Sequence, residues 1–223
     1  MAGNDPPTAS FVIPAKDEEA YLPATLESLR ALDTGHEYET IVVDGGSDDA
    51  TPEIAREFGV EPVEQEEGGI GRGRDLGARR ARGEWLAFVD ADTTVRPDYL
   101  DRILAFANGG EYDAVSSRCR VVGARRGLAK QAVVNHVFPH LRRPVLPGFN
   151  LAIDRDVYGA SGGFPDVPNE DTAFSRRLGA SYRTGYCPDV LVETSARRFR
   201  SAGLTGTLAH YVRLDWHRIR TDH

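Results

Sequence analysis

Two aspartates that follow a short apolar run are the residues of this sequence best placed to do chemistry. Trp85–Val89 is apolar throughout, and its length is typical of a strand buried on both faces rather than of a helix. The run ends in Asp90 and Asp92, with one alanine between them. If the backbone stays extended there, both carboxylates lie on the same side, where one cation could bridge them. Because carboxylate oxygens are hard ligands, the pattern predicts a Mg²⁺ or Mn²⁺ site shared with phosphate oxygens.

The position of these acids agrees with such a site, but the motif alone leaves a second interpretation open. In an open α/β sheet, ligands bind outside the carboxyl ends of the strands. Two acids at the end of a buried strand are also costly unless a cation or hydrogen-bond donors offset them. The alternative is a loop in which one aspartate caps the next helix and the other is solvated.

A second pair of acids, Glu170 and Asp171, falls in the first turn of a predicted short helix with Asn169 as its N-cap. Acids there interact favourably with the helix dipole, which is a sufficient structural reason for one of them. It leaves the other acid without a structural reason.

Composition and charge narrow the class of protein. The chain has 223 residues, 40% of them hydrophobic, and a formal net charge of −7. The negative charge argues against nonspecific nucleic-acid binding. No apolar run approaches membrane-spanning length, and the first ten residues do not form a signal peptide, so we expect a cytoplasmic protein. Cys119 and Cys187 lack metal-type spacing and are expected to be buried structural thiols.

Strands and helices alternate along the chain. Strands are predicted at 10–14, 40–44, 60–63, 85–89, 113–122, 147–154, 183–187 and 190–194, and helices at 22–29, 51–58, 72–82, 97–107 and 169–179. We expect Pro14 to end the first strand, Thr51 to cap its helix and a glycine pair at 109–110 to end another. The alternation predicts a largely parallel sheet with right-handed crossovers.

A glycine-rich stretch at 71–77 looks like the dinucleotide fingerprint of dehydrogenases. It neither follows a strand directly nor opens the first crossover, so the pattern does not predict a dehydrogenase. Arg72 and Arg74, at the start of a helix, could instead reach a diphosphate. The alternative is a solvated arginine face that continues through Arg79, Arg80 and Arg82.

Two later segments are basic or amphipathic. Residues 124–144 carry seven arginine, lysine or histidine side chains in an otherwise acidic protein. This segment either receives a phosphorylated or membrane-surface acceptor or is a surface excursion. In 201–223, an apolar residue recurs every fourth position from Leu204 to Trp216. The predicted helix there either packs on the domain or lies on a membrane surface.

Taken together, these motifs resemble the large inverting family 2 of glycosyltransferases, which have the nucleotide-sugar-binding GT-A fold. The matching stretches, in the family's order, are FVIPAKDE (11–18), VDGGSDDAT (43–51), GRGR (71–74), ARGEWLAFVDAD (81–92), PGFN (147–150), GGF (162–164) and ED (170–171). The chain departs from the family in Lys16–Asp17, where an asparagine usually precedes the glutamate. It also has Thr94 where some members that act on lipid phosphates place an amide ligand.

The resemblance implies a three-layer α/β sandwich around a mostly parallel sheet. It implies one domain at 1–200, with a nucleotide-binding half at 8–110 and an acceptor-binding half at 111–200, followed by the amphipathic helix at 201–223.

It also implies a role for each site residue. The nucleotide base and ribose would be held by Pro14, Ala15, Glu18 and Asp44. Asp92 would bind the Mg²⁺ or Mn²⁺ ion that bridges the donor diphosphate, with Asp90 at the ribose or the metal. Asp171 would be the catalytic base, and the further phosphate contacts would be Arg74, Arg176 and Arg177.

The predicted function is therefore a metal-dependent inverting glycosyltransferase. It would move a sugar from a UDP- or GDP-sugar to a hydroxyl or a lipid phosphate, at the inner face of the cell membrane if the acceptor is lipid-linked. A sugar-phosphate nucleotidyltransferase uses similar chemistry, but it opens with a glycine-rich basic signature that 14–18 lacks. A non-catalytic sugar-nucleotide-binding module would not need both pairs of acids.

Overall fold

One eight-stranded sheet forms the centre of the protein. The computed structural model describes residues 5–123, 127–141, 143–165, 167 and 169–197. The helix predicted at 201–223 lies outside the described residues, and so do residues 124–126 and 142 of the basic segment. The strands are β1 (Ala9–Ala15), β2 (Tyr38–Asp44), β3 (Val63–Glu64), β4 (Trp85–Val89), β5 (Thr93–Val95), β6 (Ala114–Val122), β7 (Asn150–Asp154) and β8 (Thr184–Ser195). The helices are α1 (Leu22–Arg30), α2 (Thr51–Glu57), α3 (Ile70–Arg80), α4 (Tyr99–Gly110), α5 (Gly127–His136), α6 (Arg155–Ala160) and α7 (Glu170–Ser181), with a 3₁₀ turn at Phe138–His140.

The sheet is parallel in one half and mixed in the other. Its order is β3-β2-β1-β4-β7-β6-β8-β5. The strands from β3 to β4 run parallel, as the alternation of strand and helix predicts. Beyond them, β7 is antiparallel to both neighbours and β5 is antiparallel to β8, while β6 and β8 are parallel. The carboxyl ends of β1, β2 and β4 therefore meet at one edge.

Helices cover both faces of the sheet, so the three-layer α/β prediction is confirmed. Alternate residues along a strand enter different cores, as the two-residue period of a strand requires. Phe11 and Ile13 pack with residues of α1, α2 and α4, whereas Val12 packs with residues of α3, α6 and α7. Leu22, Leu26 and Leu29 are buried on α1. Among the described residues, no helix has the length and apolar character that crossing a membrane requires.

Strand ends differ from the sequence predictions where neighbouring strands decide them. Pro14 lies inside β1 rather than ending it, because pairing with β4 stops at Val12 while pairing with β2 continues to Ala15. The predicted strands 183–187 and 190–194 are one strand, β8. Its pairing with β6 shifts register twice, once after Cys187 and once after Val190, and the extra residues 188–189 and 191 are taken up there. The sequence patterns did not predict the short β5 and α6.

Helix ends differ for local reasons. Thr51 lies inside α2 instead of capping it, and its hydroxyl accepts the Glu18 N–H at 2.7 Å. The helix α4 ends at the predicted glycine pair, with Gly110 as its last residue, but its left-handed cap is Glu111 (φ 50°) rather than a glycine. By contrast, α7 passes Gly179 and ends at Ser181. Both cysteines are buried, as expected, and no disulfide joins them.

Gly77 allows α3 to pack closely on the sheet. A Cβ at this position would clash with the Val12 side chain and lie 3.1 Å from Val43 Cγ2. We therefore expect Gly77→Ala to destabilise the fold by about 1–3 kcal/mol in urea unfolding. Gly109→Ala is the matched helical control, because nothing lies within 4 Å of its Cβ, and it should stabilise by about 0.5–1 kcal/mol. Equal effects of the two substitutions would contradict this account of the packing.

Candidate functional site

The predicted nucleotide-binding residues line the edge where β1, β2 and β4 end. Ala15 and Asp44 are opposite each other in the β1–β2 register, and Asp90 directly follows β4. Glu18, in the loop after β1, is only 3% exposed. Asp44 is buried and accepts hydrogen bonds from the Ser47 hydroxyl (2.5 Å) and backbone N–H (3.3 Å). The structure thus brings these residues together as the motifs predict.

The loops after β1 and β2 hold each other through reciprocal hydrogen bonds. Asp17 donates its N–H to Ser47 Oγ (3.0 Å) and accepts the Asp48 N–H on its carboxylate (2.9 Å). Its backbone is in the left-handed region (φ 53°), which asparagine and aspartate tolerate better than most residues. Asp17 therefore supplies the backbone turn at the position where the family usually has asparagine.

Asp90 and Asp92 lie in a turn rather than on an extended backbone, so that sequence expectation is wrong. The strand ends at Val89, and the Thr93 N–H donates to the Asp90 carbonyl at 3.0 Å. Thr25 Oγ1 fixes the turn further by donating to the Ala91 carbonyl at 2.8 Å. As a result, the two carboxylates contact two different guanidinium groups.

The first of these groups, Arg74 on α3, joins the turn to α7. Arg74 is 2% exposed, and it donates to Asp90 Oδ1 at 2.8 Å and to Glu170 Oε1 at 2.6 Å. Burial alone would lower the pKa of the Arg74 guanidinium, but Asp90, Glu170 and Asp171 outweigh it and hold the pKa above its usual value. The close approach also depends on Gly148, whose Cβ would lie 2.6 Å from Arg74 Cζ. The guanidinium is therefore fully charged and is held in place by protein carboxylates.

The second group belongs to Arg197, just beyond β8, and the sequence motifs gave no signal for it. Its guanidinium donates to both carboxylate oxygens of Glu18 and lies 3.8 Å from Asp92 Oδ2. It also lies over the ring of Tyr21, 4.3 Å from the centroid. Only the fold could place it here, since 179 residues separate Arg197 from Glu18.

Asp171 sits at the start of α7, next to the glutamate that holds Arg74. Asn169 precedes the helix in the left-handed region (φ 57°), without a side-chain capping bond. Asp171 accepts the N–H groups of Thr172 (2.6 Å) and Gly148 (3.5 Å). Burial and then the Glu170 charge raise the pKa of Asp171 above its usual range, against the opposing effects of Arg74 and the two N–H groups. The two acids thus have separate roles: Glu170 pairs with Arg74, and Asp171 is a carboxylate of raised pKa.

Asp75, next to Arg74 on α3, organises the loop that leads to α7. It accepts hydrogen bonds from the Tyr158 hydroxyl and, at 3.1 Å, from the Phe164 N–H. Burial raises the pKa of the Tyr158 hydroxyl, so it stays a donor. The Phe164 ring then lies 5.0 Å from Arg74 Cζ and 4.5 Å from the Phe174 ring. Sequence reasoning missed Asp75 and Tyr158, whose roles depend on contacts far along the chain.

The other predicted contacts lie elsewhere. Arg177 donates to the Gly163 carbonyl and lies over the Phe174 ring, 5.4 Å from its centroid, so it supports the loop. Arg176 is partly buried on α7, and Arg72 is exposed on α3. Thr94 is in β5, opposite Glu193.

The oxygen ligands at this edge fit a divalent cation that is also held by its substrate. Within the part of the chain that the structure describes, no group of three histidine, cysteine or acidic side chains could hold an ion alone. Mg²⁺ typically binds one or two carboxylates and takes its other ligands from phosphate and water. The carboxylates of Asp90 and Asp92 are that kind of donor set.

Comparison with known proteins identifies relatives of the chain. The profile described as "Glycosyl transferase family 2" matches residues 10–161. "Glycosyltransferase AglE" of Haloferax volcanii is 27% identical over 208 residues, which is 86% of this chain and 68% of AglE. The chain spans 33–68% of the length of four curated relatives.

Solved structures share the GT-A fold. S. aureus TarS 1-349 in complex with UDP-GlcNAc superposes with a TM-score of 0.73 at 22% identity, over 88% of this chain and 62% of that one. The mannosyltransferase PcManGT from Pyrobaculum calidifontis, in complex with GDP-Man and Mn²⁺, gives 0.71 at 23% identity, over 94% and 65%.

Arg74 provides a test of the link between the two acid pairs. Arg74→Met leaves Asp90 and Glu170 buried without their counter-ion, so we expect a loss of about 3–5 kcal/mol in the free energy of unfolding. Arg74→Lys keeps the charge but lacks the planar fork, and it should recover only part of the loss.

Arg120→Met is the control, because the side chains of Arg120 and of its partner Glu193 are both exposed. It should change stability by about 0–1 kcal/mol. An Arg74→Met protein as stable as this control would contradict the bridging role.

Proposed function

The chain belongs to glycosyltransferase family 2, and from that premise we propose a metal-dependent glycosyltransferase that inverts the anomeric centre of a nucleoside-diphosphate sugar. The observation that carries the proposal is the charge of the sheet edge. Four buried carboxylates lie there, those of Glu18, Asp44, Asp90 and Asp92. Arg74 joins to them the partly buried acids at the start of α7, Glu170 and Asp171. Such a concentration of acid suits a ligand that arrives with a divalent cation.

We assign the donor nucleotide to the ends of β1 and β2. Pro14 and Ala15 form one wall and Asp44, with Glu18 in the adjoining loop, forms the other. Bound UDP-GlcNAc in TarS and bound GDP-Man in PcManGT support a nucleoside-diphosphate sugar of either base.

Asp92 is the proposed ligand of Mg²⁺ or Mn²⁺, with Asp90 at the ribose or the metal. The Mn²⁺ in PcManGT supports a divalent ion at this kind of site. When bound, the cation supplies positive charge to the diphosphate oxygens. Arg74 acts mainly by positioning Asp90, and Arg176 is the remaining candidate for a direct phosphate contact.

Asp171 is the proposed general base. It removes the proton of the acceptor hydroxyl while the acceptor oxygen attacks the anomeric carbon on the face opposite the diphosphate. The bond from that carbon to the diphosphate oxygen breaks, and the nucleoside diphosphate leaves with the electron pair. One displacement inverts the centre, so a second carboxylate nucleophile is not needed.

The acceptor is a hydroxyl or a lipid phosphate bound in the half of the domain after residue 110. The basic composition of 124–144 favours an anionic or membrane-surface acceptor, with peripheral contact at the inner face of the membrane. A phosphate acceptor is already ionised and needs no base. The dependence of turnover on Asp171 therefore separates the two kinds of acceptor.

Nucleotide binding is the first test. We expect either UDP or GDP to raise the thermal stability of the protein only when Mn²⁺ or Mg²⁺ is present. At a hundredfold over its dissociation constant, the ligand should add about 2.7 kcal/mol. CMP, ADP and dTDP serve as controls, and the absence of a shift with every nucleotide would contradict a donor site.

The base assignment predicts a separate effect on turnover. With a hydroxyl acceptor, Asp171→Asn should lower kcat by about 10²–10⁴-fold, because the amide cannot take the proton. Asp156→Asn replaces an exposed first-turn acid of α6 and should turn over like the parent. Unchanged turnover in Asp171→Asn would exclude Asp171 as the base.

The dependence of the turnover rate on pH should also reflect Asp171. A base acts only when deprotonated, and the pKa of Asp171 is raised. The rate should therefore fall, as pH is lowered, at a higher pH than an ordinary aspartate would give. Release of nucleoside diphosphate rather than pyrophosphate, measured in the same assay, distinguishes the reaction from nucleotidyl transfer.

A further inference from the structure

Arg197 lies at the one point where the end of β8 meets the Asp90–Asp92 turn. The Ser195 N–H donates to the Asp92 carbonyl at 3.2 Å, so the backbone just before Arg197 is tied to this turn. The Arg197 N–H donates to Ser195 Oγ at 3.1 Å and continues the same hydrogen-bonded corner. The placement of Arg197 beside Asp92 is thus fixed by the sheet.

The Arg197 side chain lies between the carboxylates of Glu18 and Asp92, which follow different strands. Glu18 and Asp92 each have only 3% of the side chain exposed, whereas Arg197 has 32% exposed. The guanidinium holds Glu18 with two hydrogen bonds and stands 3.8 Å from Asp92 without a hydrogen bond to it in the structure. The Arg197 Nε is buried and makes no hydrogen bond. The contact with Asp92 is therefore a charge contact that can be broken without breaking the one with Glu18.

A monovalent cation thus faces the carboxylate to which we assign the divalent ion, an assignment that rests on the proposed function. Two cations near one buried carboxylate repel each other strongly, because the low dielectric screens them poorly. The ion and the guanidinium therefore oppose each other at Asp92.

We propose that Arg197 is a displaceable counter-ion of the donor site. It balances Glu18 and Asp92 while the cation is absent, and it moves away from Asp92 when the cation binds there. The 32% exposure of its side chain leaves room for this movement. The consequence is a weak affinity for the bare ion, so that a cation that arrives with the donor diphosphate is favoured over a cation that arrives alone.

The test measures Mn²⁺ binding without any donor or acceptor, by electron paramagnetic resonance of free Mn²⁺. If the guanidinium occupies Asp92 about nine-tenths of the time, Arg197→Ala should bind Mn²⁺ about tenfold more tightly than the parent. Arg197→Lys keeps a cation but not the two-pronged contact, and it should fall between the two; it also carries the test if the alanine variant does not fold.

Arg183→Ala is the matched control, since it removes an exposed arginine at the opposite end of β8 that pairs with Glu111. It changes the net charge equally and should bind Mn²⁺ like the parent. Equal or weaker Mn²⁺ binding by Arg197→Ala would overturn the inference while leaving the donor site intact. No Mn²⁺ binding by any of these proteins, even with UDP or GDP, would instead contradict metal use and with it the inference.

Discussion

The buried guanidinium of Arg74 is the contact on which the rest of the site depends. It lies on α3 and reaches Asp90, 16 residues along the chain, and Glu170, 96 residues along. Through these two bonds, the end of β4 and the start of α7 are held at a fixed separation. The aromatic ring of Phe164 and the absence of a side chain at Gly148 shape the space in which this charge sits. The proposed donor-binding edge and the proposed base, which lie on different elements, can then act on the same molecule.

Electrostatics at the sheet edge follow from that arrangement. Parallel strands bring their acidic ends together, and burial makes these charges expensive unless cations approach them. Among the described residues, Arg74 is a buried cation at this edge and Arg197 is a partly exposed one. In the proposed function, the remaining negative charge favours a divalent ion, which also stabilises the nucleoside-diphosphate leaving group. Binding and catalysis would then depend on the same acids.

Sequence patterns were sufficient for the parts of the fold that local periodicity determines. The apolar run at Trp85–Val89 and the leucine stripe of α1 both follow from burial of one face or of a whole strand. The proximity of Asp44 and Asp90 was predictable because the carboxyl ends of parallel strands meet at one edge of a sheet. The turn at 90–93, the position of Pro14 in β1 and the single strand β8 were not predicted, because each depends on which neighbour a strand pairs with.

The residues of the candidate site likewise fall into those that the motifs predicted and those that only the fold reveals. Asp44, Asp90, Asp92 and Asp171 stand in motifs, so their types and spacing carried the prediction. Arg197, Asp75 and Tyr158 were given no role by the motifs, and the pairs Asp75–Tyr158 and Glu18–Arg197 are 83 and 179 residues apart. Only the folded chain shows such contacts. The motifs predicted Arg74 as a phosphate contact. In the structure it pairs with Asp90 and Glu170, which come from separate elements, so only the fold reveals these contacts.

The most direct test is whether donor binding depends on Asp92 and not on Asp171. Isothermal titration of the parent, Asp92→Asn and Asp171→Asn with UDP or GDP, with and without Mn²⁺, measures this. The account predicts that Asp92→Asn loses the Mn²⁺-dependent part of the affinity and that Asp171→Asn binds like the parent. Parent-like, Mn²⁺-dependent binding by Asp92→Asn would contradict it.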